Sequence, residues 1–284
     1  MRDRLPDISK EAGQPRRLAG HWRRKLSANL RSGRTSGSRK LPASSRPRRR
    51  GPVRWAPDTF CFGKAIISTI RNTEVVADST NVLALECAVR RREQNDFSTG
   101  HAAPVHLATS HRLLRGQKIS IRPGVSQHFR LFSLCSAGRD LGNLRFEIEN
   151  VRLHTGFFLT AFKKFLGSKI RLRVAVSDFG SKVPRTLVRS GIVEKLQSSH
   201  KGVKTGFDQD RKQGRGYYAE LCFKIFVTSS EGKEEELVDG GDVDWTQKLL
   251  NNAKERLVIS GCGSERLCEL FASTSAKRRT RTER

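Results

Sequence analysis

The uneven distribution of charge along the chain constrains its fold more than any other feature of the sequence. The protein has 284 residues and a net charge of +27, and residues 1–56 alone contain 14 Arg and three Lys against three acidic residues. Ser, Gly and Pro separate these charges, and the segment follows neither helical nor strand periodicity. It buries too little apolar surface to offset the entropy lost on folding. We therefore predict a disordered basic arm over 1–56 and a basic tail over 277–284.

Three interpretations of this arm stay open from its composition. It binds RNA or another polyanion through counterion release, it is a transit peptide for a mitochondrion or plastid, or it is a solvated tail without a fixed partner. No apolar stretch approaches the roughly 20 residues that span a bilayer, and no apolar core follows the basic N-terminus. We expect neither contact with a membrane nor secretion.

The cysteines favour a reducing compartment. None of the six stands in a C-x-x-C spacing, so the sequence predicts neither a zinc site nor a disulfide framework. Free thiols are typical of intracellular proteins. We expect the cytoplasm, with import into an organelle as the alternative.

Two further groups of polar residues lack the spacing of metal ligands. Three histidines recur every five residues, a spacing that does not align on one helix face, and three aspartates surround a pair of glycines without the glutamate of a calcium loop. We interpret them as solvated loop histidines and turn-forming aspartates, so no metal is expected. They are His101, His106, His111, Asp239, Asp242 and Asp244.

The region 57–276 carries the patterning of a folded core. Apolar residues at helical spacing predict a helix over 151–168, which ends at Gly167, whereas 90–118 supports no assignment. Apolar runs or alternation suited to half-buried elements occur at 65–70, 81–89 and 171–179.

The clearest succession of elements lies in 207–271. A strand over 221–227 turns into an antiparallel partner over 234–238, and a second strand spans 257–260. Gly240-Gly241 is expected to end the first pair, a helix begins at Asp244, a glycine-rich turn follows at 261–263, and the last helix begins near Glu265. This order predicts an α+β fold in which helices flank an antiparallel β-sheet.

Taken singly, the local signals in this region allow more than one interpretation. The glycine-rich turn before the last helix is suited to cradling a phosphate, but it lacks a dinucleotide fingerprint. Tyr217 and Tyr218 form either a ligand wall or part of the core, and Arg266 pairs either with a phosphate or with a surface carboxylate. We also expect the two tyrosines to point to opposite faces of a strand, and Gly241→Val to fill a pocket at modest cost in stability.

The order of these motifs resembles the catalytic core of the class II histidyl-tRNA synthetase family. That family has a glycine ahead of a YYTGxxFE motif, then a GGRYD loop and a final G-x-ERL motif. A weaker resemblance joins 119–130 to the family's LRPE/D-x-T phrase. The matching residues here are Gly214, Tyr217, Tyr218, Phe223, Lys224, Ile225, Gly240, Gly241, Asp244 and Gly263 to Leu267.

The resemblance implies a fold, two ligands and two groups of site residues. The fold would be a class II aminoacyl-tRNA synthetase-like core, and the ligands would be histidine and ATP. The amino-acid pocket would be formed by Gly214, Tyr217, Tyr218, Gly240 and Gly241. The nucleotide phosphates would lie against Arg122, Gly263 and Arg266.

Several departures from the family pattern predict an incomplete catalytic apparatus. Gln213 stands where the family has the arginine that stabilises the transition state, and Gly124 stands where it has an acid for the substrate amino group. An FRxE-type motif is not identifiable between 130 and 207. Only 18 residues follow Arg266, too few for an anticodon-binding domain. We therefore assign no catalytic residue.

Three functions follow as hypotheses. The first is a non-catalytic, histidine-sensing subunit like the regulatory subunit of ATP phosphoribosyltransferase, in a homo- or hetero-oligomer with a catalytic phosphoribosyltransferase subunit. The second is a histidine–tRNA ligase or a fragment of one. The third is a basic protein that binds nucleic acid, with RNA held by residues 1–56 and the core as a scaffold.

Overall fold

The computed structural model describes residues 75–97, 103–116, 124–180, 184–229 and 231–271. Five predicted features lie outside these residues, so the structure does not address them. They are the basic arm, the basic tail, the apolar segment 65–70, His101 and Arg122.

A seven-stranded sheet organises the described residues. Its strand order is β1-β2-β7-β6-β5-β3-β4. Every neighbouring pair is antiparallel except β3 and β4, which run parallel. The predicted α+β class is confirmed. The strands are β1 (Val105–Leu114), β2 (His128–Arg139), β3 (Leu172–Asp178), β4 (Lys204–Phe207), β5 (Leu221–Thr228), β6 (Glu234–Val243) and β7 (Glu255–Gly263).

Helices cover both faces of this sheet. The segment between β3 and β4 is helical, with a π-helical stretch at Arg189–Glu194 between two short α-helices. The helices are α1 (Ser79–Phe97), α2 (Arg145–Leu166), α3 (Arg185–Val188), α4 (Lys195–Ser199), α5 (Trp245–Leu250) and α6 (264–271). None of those within the described ranges is long and apolar enough to cross a bilayer.

The long helix α2 forms the main core with one face of the sheet. Its apolar side buries Val151, Phe158, Leu159 and Phe162, which recur at helical spacing and pack against the strands. The helix ends at Leu166, before Gly167 with φ 98°, as predicted. It begins at Arg145, earlier than the apolar pattern indicated.

The opposite face is covered in part by α1. This helix arises from the apolar segment 81–89 and buries Ala84, Cys87 and Ala88 over β1 and β2. A buried ion pair joins it to the sheet. Arg91 Nε and Nη2 donate to the two carboxylate oxygens of Glu255 in β7 at 2.9 and 3.1 Å, and neither side chain is exposed.

Two glycine-rich segments that were predicted to interrupt strands lie within them. Gly240 and Gly241 belong to β6, and residues 261–263 belong to β7. Both predictions were wrong. Glycine permits both a turn and a strand conformation, and here the hydrogen bonds of β6 to β5 and β7, and of β7 to β6 and β2, fix the strand. The last helix begins at residue 264, directly after β7, as expected.

The interpretation of the histidines as loop residues was also wrong for two of them. His106 and His111 lie on β1, and His101 lies outside the described residues. His106 belongs to a chain of hydrogen bonds with Ser136, His154 and Ser260, with distances of 2.8, 2.8 and 2.9 Å. Burial lowers the pKa of His154 to about 3, which favours the neutral ring, and each of its ring nitrogens is hydrogen-bonded to a serine hydroxyl.

We expect Arg91→Met to lower the free energy of unfolding by about 3–5 kcal/mol, because it leaves the Glu255 carboxylate buried without its partner. The double variant Arg91→Met, Glu255→Leu removes both charges and should recover most of the loss. Urea unfolding of the two variants and the parent protein measures this difference. A double variant as unstable as the single one would contradict the explanation.

Candidate functional site

A row of small and polar residues crosses the sheet on the face that carries α1. The strand registers place these residues side by side from one edge to the other. Two charged residues, Asp239 and Lys224, stand in the middle of the row, and Asp239 keeps 41% of its side chain exposed, whereas Ser133 and Ala175 are buried. We interpret the row as the floor of a cleft that is open at Asp239. It consists of Thr109, Ser133, Gly261, Asp239, Lys224, Ala175 and Gly206.

One wall of this cleft is the connection 208–220. It leaves β4 at the edge of the sheet and returns across the floor to β5. Arg211 in this connection reaches β6, where its Nη2 donates to Asp239 Oδ1 at 2.8 Å. The Lys224 Nζ donates to Gln213 Oε1 at 3.1 Å and to Glu236 Oε2 at 2.7 Å. Two ion pairs thus stand side by side on the floor.

The second wall is the N-terminal end of α1. Asp78 Oδ1 accepts hydrogen bonds from the Thr80 amide at 3.0 Å and from its hydroxyl at 2.8 Å. Arg115 donates to Asp78 Oδ2 at 3.4 Å and to the Ala77 carbonyl. Tyr217 of the first wall hydrogen-bonds with Thr80, so the two walls meet there.

Sequence reasoning missed Asp78 and Thr80. The signal that identifies them is the acid and threonine of D-S-T at 78–80, which have the spacing of the family's E/D-x-T phrase. We assigned that phrase to 119–130 instead. In the structure, Gly124 of that segment lies against Arg266, where an added Cβ would stand 2.6 Å from Arg266 Cγ.

The structure brings four of the five predicted pocket residues together. A Cβ added to Gly214 or Gly241 would stand 2.9 or 2.6 Å from the Tyr218 ring, which these glycines therefore flank. Tyr217 packs edge-to-face on Tyr218, with ring centroids 4.9 Å apart. The fifth residue, Gly240, faces the α2 side of the sheet, where its added Cβ would meet Ser260 and Phe223.

Two expectations about these residues were wrong. Tyr217 and Tyr218 lie in a turn before β5 rather than on a strand, so their rings pack against each other on one side of the sheet. Gly241→Val would lower the stability of the fold by more than a modest amount, because a Cβ there would stand 2.4 Å from the Leu221 carbonyl oxygen. Backbone atoms do not yield to a side chain in the way that flexible side chains do.

The structure describes two of the three predicted phosphate-binding residues, Gly263 and Arg266. Arg122 lies outside the described residues, and Gly263 is the last residue of β7. Arg266 Nη2 donates to Glu235 Oε2 on β6 at 2.9 Å, so its charge is balanced by a carboxylate. Of the two interpretations given for Arg266, a phosphate partner or a carboxylate partner, this contact matches the second.

The three aspartates near residue 241 do not converge on a common point. Asp239 accepts a hydrogen bond from Arg211, and Asp244 forms an ion pair with Lys248 Nζ at 2.9 Å. Asp242 Oδ1 accepts a hydrogen bond from the backbone N–H of Leu221 at 2.6 Å. Asp239 and Asp242 are strand residues, so describing them as turn-forming was wrong. Among the described residues no three His, Cys, Asp or Glu side chains are grouped as metal ligands, and the five cysteines there are free thiols.

Burial governs the protonation of the carboxyl groups on β6. It raises the pKa of Asp242 to about 7, although two backbone N–H groups favour the ionised form. Burial also raises the pKa of Asp239, against the opposing effect of Arg211. The Asp239 side chain nevertheless keeps 41% of its surface exposed, because it borders the open cleft.

Comparisons with solved structures agree on the architecture. Apo histidyl-tRNA synthetase of S. aureus matches with a TM-score of 0.55 and 15% identity over 94% of this chain and 67% of that enzyme. A Bacillus halodurans C protein described as an ATP phosphoribosyltransferase regulatory subunit/histidyl-tRNA synthetase matches with a TM-score of 0.52 and 12% identity, over 95% of this chain and 81% of that one.

A solved structure described as a threonyl-tRNA synthetase also matches this fold. The putative threonyl-tRNA synthetase ThrRS-1 of Aeropyrum pernix matches with a TM-score of 0.53 and 12% identity, over 74% of this chain and 50% of that one. No family model and no curated protein matches the sequence. The described residues therefore have the fold of a class II synthetase core similar to that of histidyl-tRNA synthetase, and this chain spans about half to four fifths of these neighbours.

We expect the stability advantage of Asp242→Asn over the parent protein to grow from pH 4 to pH 7. The folded parent keeps the Asp242 proton up to a pKa of about 7, whereas the unfolded chain releases it near 3.8, so its stability falls as pH rises through this window. Asparagine keeps the Oδ1 acceptor and does not titrate. Urea unfolding at several pH values measures the difference, with Asp244→Asn as a control expected to change little.

Proposed function

We propose that this chain is a non-catalytic, amino-acid-binding regulatory protein built on a class II synthetase core, with histidine as the ligand that the resemblance implies. One observation carries this proposal: the cations that reach the floor of the cleft or hold the start of α1, and Arg266, which is the predicted phosphate-binding arginine that the structure describes, are each bonded to a carboxylate of the same chain. The pairs are Arg211 with Asp239, Lys224 with Glu236, Arg115 with Asp78, and Arg266 with Glu235.

Paired cations are poorly suited to activating an amino acid with ATP. That chemistry needs preorganised positive charge where negative charge develops on the phosphate, and a neighbouring carboxylate cancels most of it. Gln213 adds no charge at the position of the family's arginine. A cleft with paired charges can still bind a zwitterionic amino acid. The ammonium group of the amino acid needs one hydrogen-bond acceptor, and its carboxylate needs one donor.

A regulatory role requires a partner that responds to the ligand. The resemblance implies a catalytic phosphoribosyltransferase subunit, in a homo- or hetero-oligomer, and a part in histidine biosynthesis. We extend this expectation to the present chain as part of the proposal, with the cytoplasm or an organelle as the site of action.

A histidine–tRNA ligase remains the second candidate. The Asp78 and Thr80 pair supports it, because these residues have the spacing of the family's substrate phrase and lie at the cleft. The ligase would bind histidine, ATP and tRNA. The two candidates differ in chemistry, and one assay separates them.

We expect no histidine-dependent exchange between ATP and pyrophosphate, since removal of one preorganised charge costs roughly 10²–10³ in rate. Histidine at millimolar concentration should nevertheless raise the melting temperature, because a ligand that binds the folded state stabilises it. Imidazole serves as the control for non-specific effects. Robust exchange would establish the ligase, and absence of a thermal shift would contradict histidine binding.

We expect residues 1–56 to provide RNA binding without sequence preference, because they carry a large positive charge. The logarithm of the affinity should fall linearly with the logarithm of salt concentration, and deletion of 1–56 should flatten that slope. Fluorescence anisotropy with a labelled RNA measures both. An unchanged slope after deletion would assign binding to another part of the chain, and organelle import of a reporter fused to 1–56 would support the transit peptide.

A further inference from the structure

Asp239 is a carboxylate of the cleft that is held in place and remains partly exposed. Its Oδ1 accepts one hydrogen bond from Arg211. The Arg211 side chain is only 3% exposed and is itself anchored, because its Nε donates to the Gln213 carbonyl at 2.8 Å and its guanidinium lies 5.5 Å from the Tyr218 ring. Asp239 therefore has a defined orientation while 41% of its side chain is exposed.

A second carboxylate at the cleft, Asp78, is committed to the fold, whereas a third, Glu236, is paired with Lys224. Asp78 is 7% exposed, and its oxygens are engaged by the Thr80 amide, the Thr80 hydroxyl and Arg115. These contacts hold the first turn of α1. A ligand ammonium at Asp78 would have to displace contacts that fix this wall.

The neighbours of Asp239 leave part of its side chain accessible. Its neighbour on β7 is Gly261, which has no side chain, and its neighbour on β5 is Lys224, whose ammonium turns to Glu236 and Gln213. The Leu131 side chain bounds the glycine side, because a Cβ added to Gly261 would stand 3.2 Å from Leu131 Cδ1. The part of Asp239 that a ligand can reach is therefore the exposed 41% of its side chain. A primary ammonium placed against this exposed part would donate a charge-assisted hydrogen bond to a carboxylate that is already oriented.

We propose that Asp239 binds the ammonium group of the ligand in this cleft and that Arg211 is the positioning residue that holds the carboxylate for it. This inference rests on the proposed function, because it assigns one group of the amino acid to one residue. The ligand class it defines is a primary amine on a small polar molecule.

The experiment compares histidine with two analogues by isothermal titration calorimetry on the full-length protein. Histidinol keeps the ammonium and lacks the carboxylate, whereas imidazole lactate carries a hydroxyl in place of the ammonium. The parent protein should bind histidine and histidinol, and imidazole lactate at least about tenfold more weakly, as expected for losing a charge-assisted hydrogen bond. Asp239→Asn should bind histidine at least tenfold more weakly and lose most of the discrimination against imidazole lactate.

Asp244→Asn is the matched control. Asp244 also belongs to an ion pair, with Lys248, and its side chain is also 41% exposed. It follows β6, and its partner is outside the cleft, so this variant should keep both affinities. Asp239→Glu serves as a second variant that retains a partner for Arg211. Its carboxylate is displaced by one methylene, so histidine should bind more weakly in a protein that still melts cooperatively.

The outcomes separate the two proposals. If Asp239→Asn binds histidine as the parent does and still rejects imidazole lactate, Asp239 does not bind the ammonium, although the proposed function stands. If the parent protein gives heat with none of the twenty amino acids, both proposals fail. If another amino acid binds in place of histidine, the identity of the ligand is wrong, and its hydroxy-acid analogue decides the role of Asp239 in the same way.

Discussion

The buried ion pair between Arg91 and Glu255 holds α1 against the sheet. Its two hydrogen bonds join a helix near the start of the described chain to the first residue of β7. A buried pair of this kind adds little net stability compared with apolar packing, but it penalises every arrangement that separates the partners. Because α1 begins at the wall of the cleft, the pair also determines where Asp78 and Thr80 stand.

The cleft depends on a second arrangement, in which a connection crosses the sheet. The parallel pairing of β3 and β4 puts the end of β4 at the edge, so the chain must return over the floor to begin β5. That return path brings Arg211 to Asp239 and Gln213 to Lys224. The cations that reach the floor are consequently balanced by carboxylates of the same chain, and this balance is the observation on which we base the proposed function.

The architecture persists at very low sequence identity because few residue types are needed to maintain it. The strands β5, β6 and β7 need apolar side chains on the face covered by α2, together with glycines where the backbones and rings approach closely. The chemistry of the cleft rests on single polar residues, which change without disturbing this pattern. A shared fold with histidyl-tRNA synthetase is thus compatible with a different set of charges over the floor.

The sequence by itself determined the elements whose apolar pattern is local. The helix at 151–168, the strands at 221–227 and 257–260 and the α+β class follow from periodicity within a few residues. Glycines have no such pattern, so the positions of Gly240, Gly241 and 261–263 within strands were decided by pairing on both sides. Only the tertiary structure decided the positions and contacts of Asp78, Arg211 and Asp239, because these contacts include ones between segments that are far apart in the chain and that meet only when the sheet has formed.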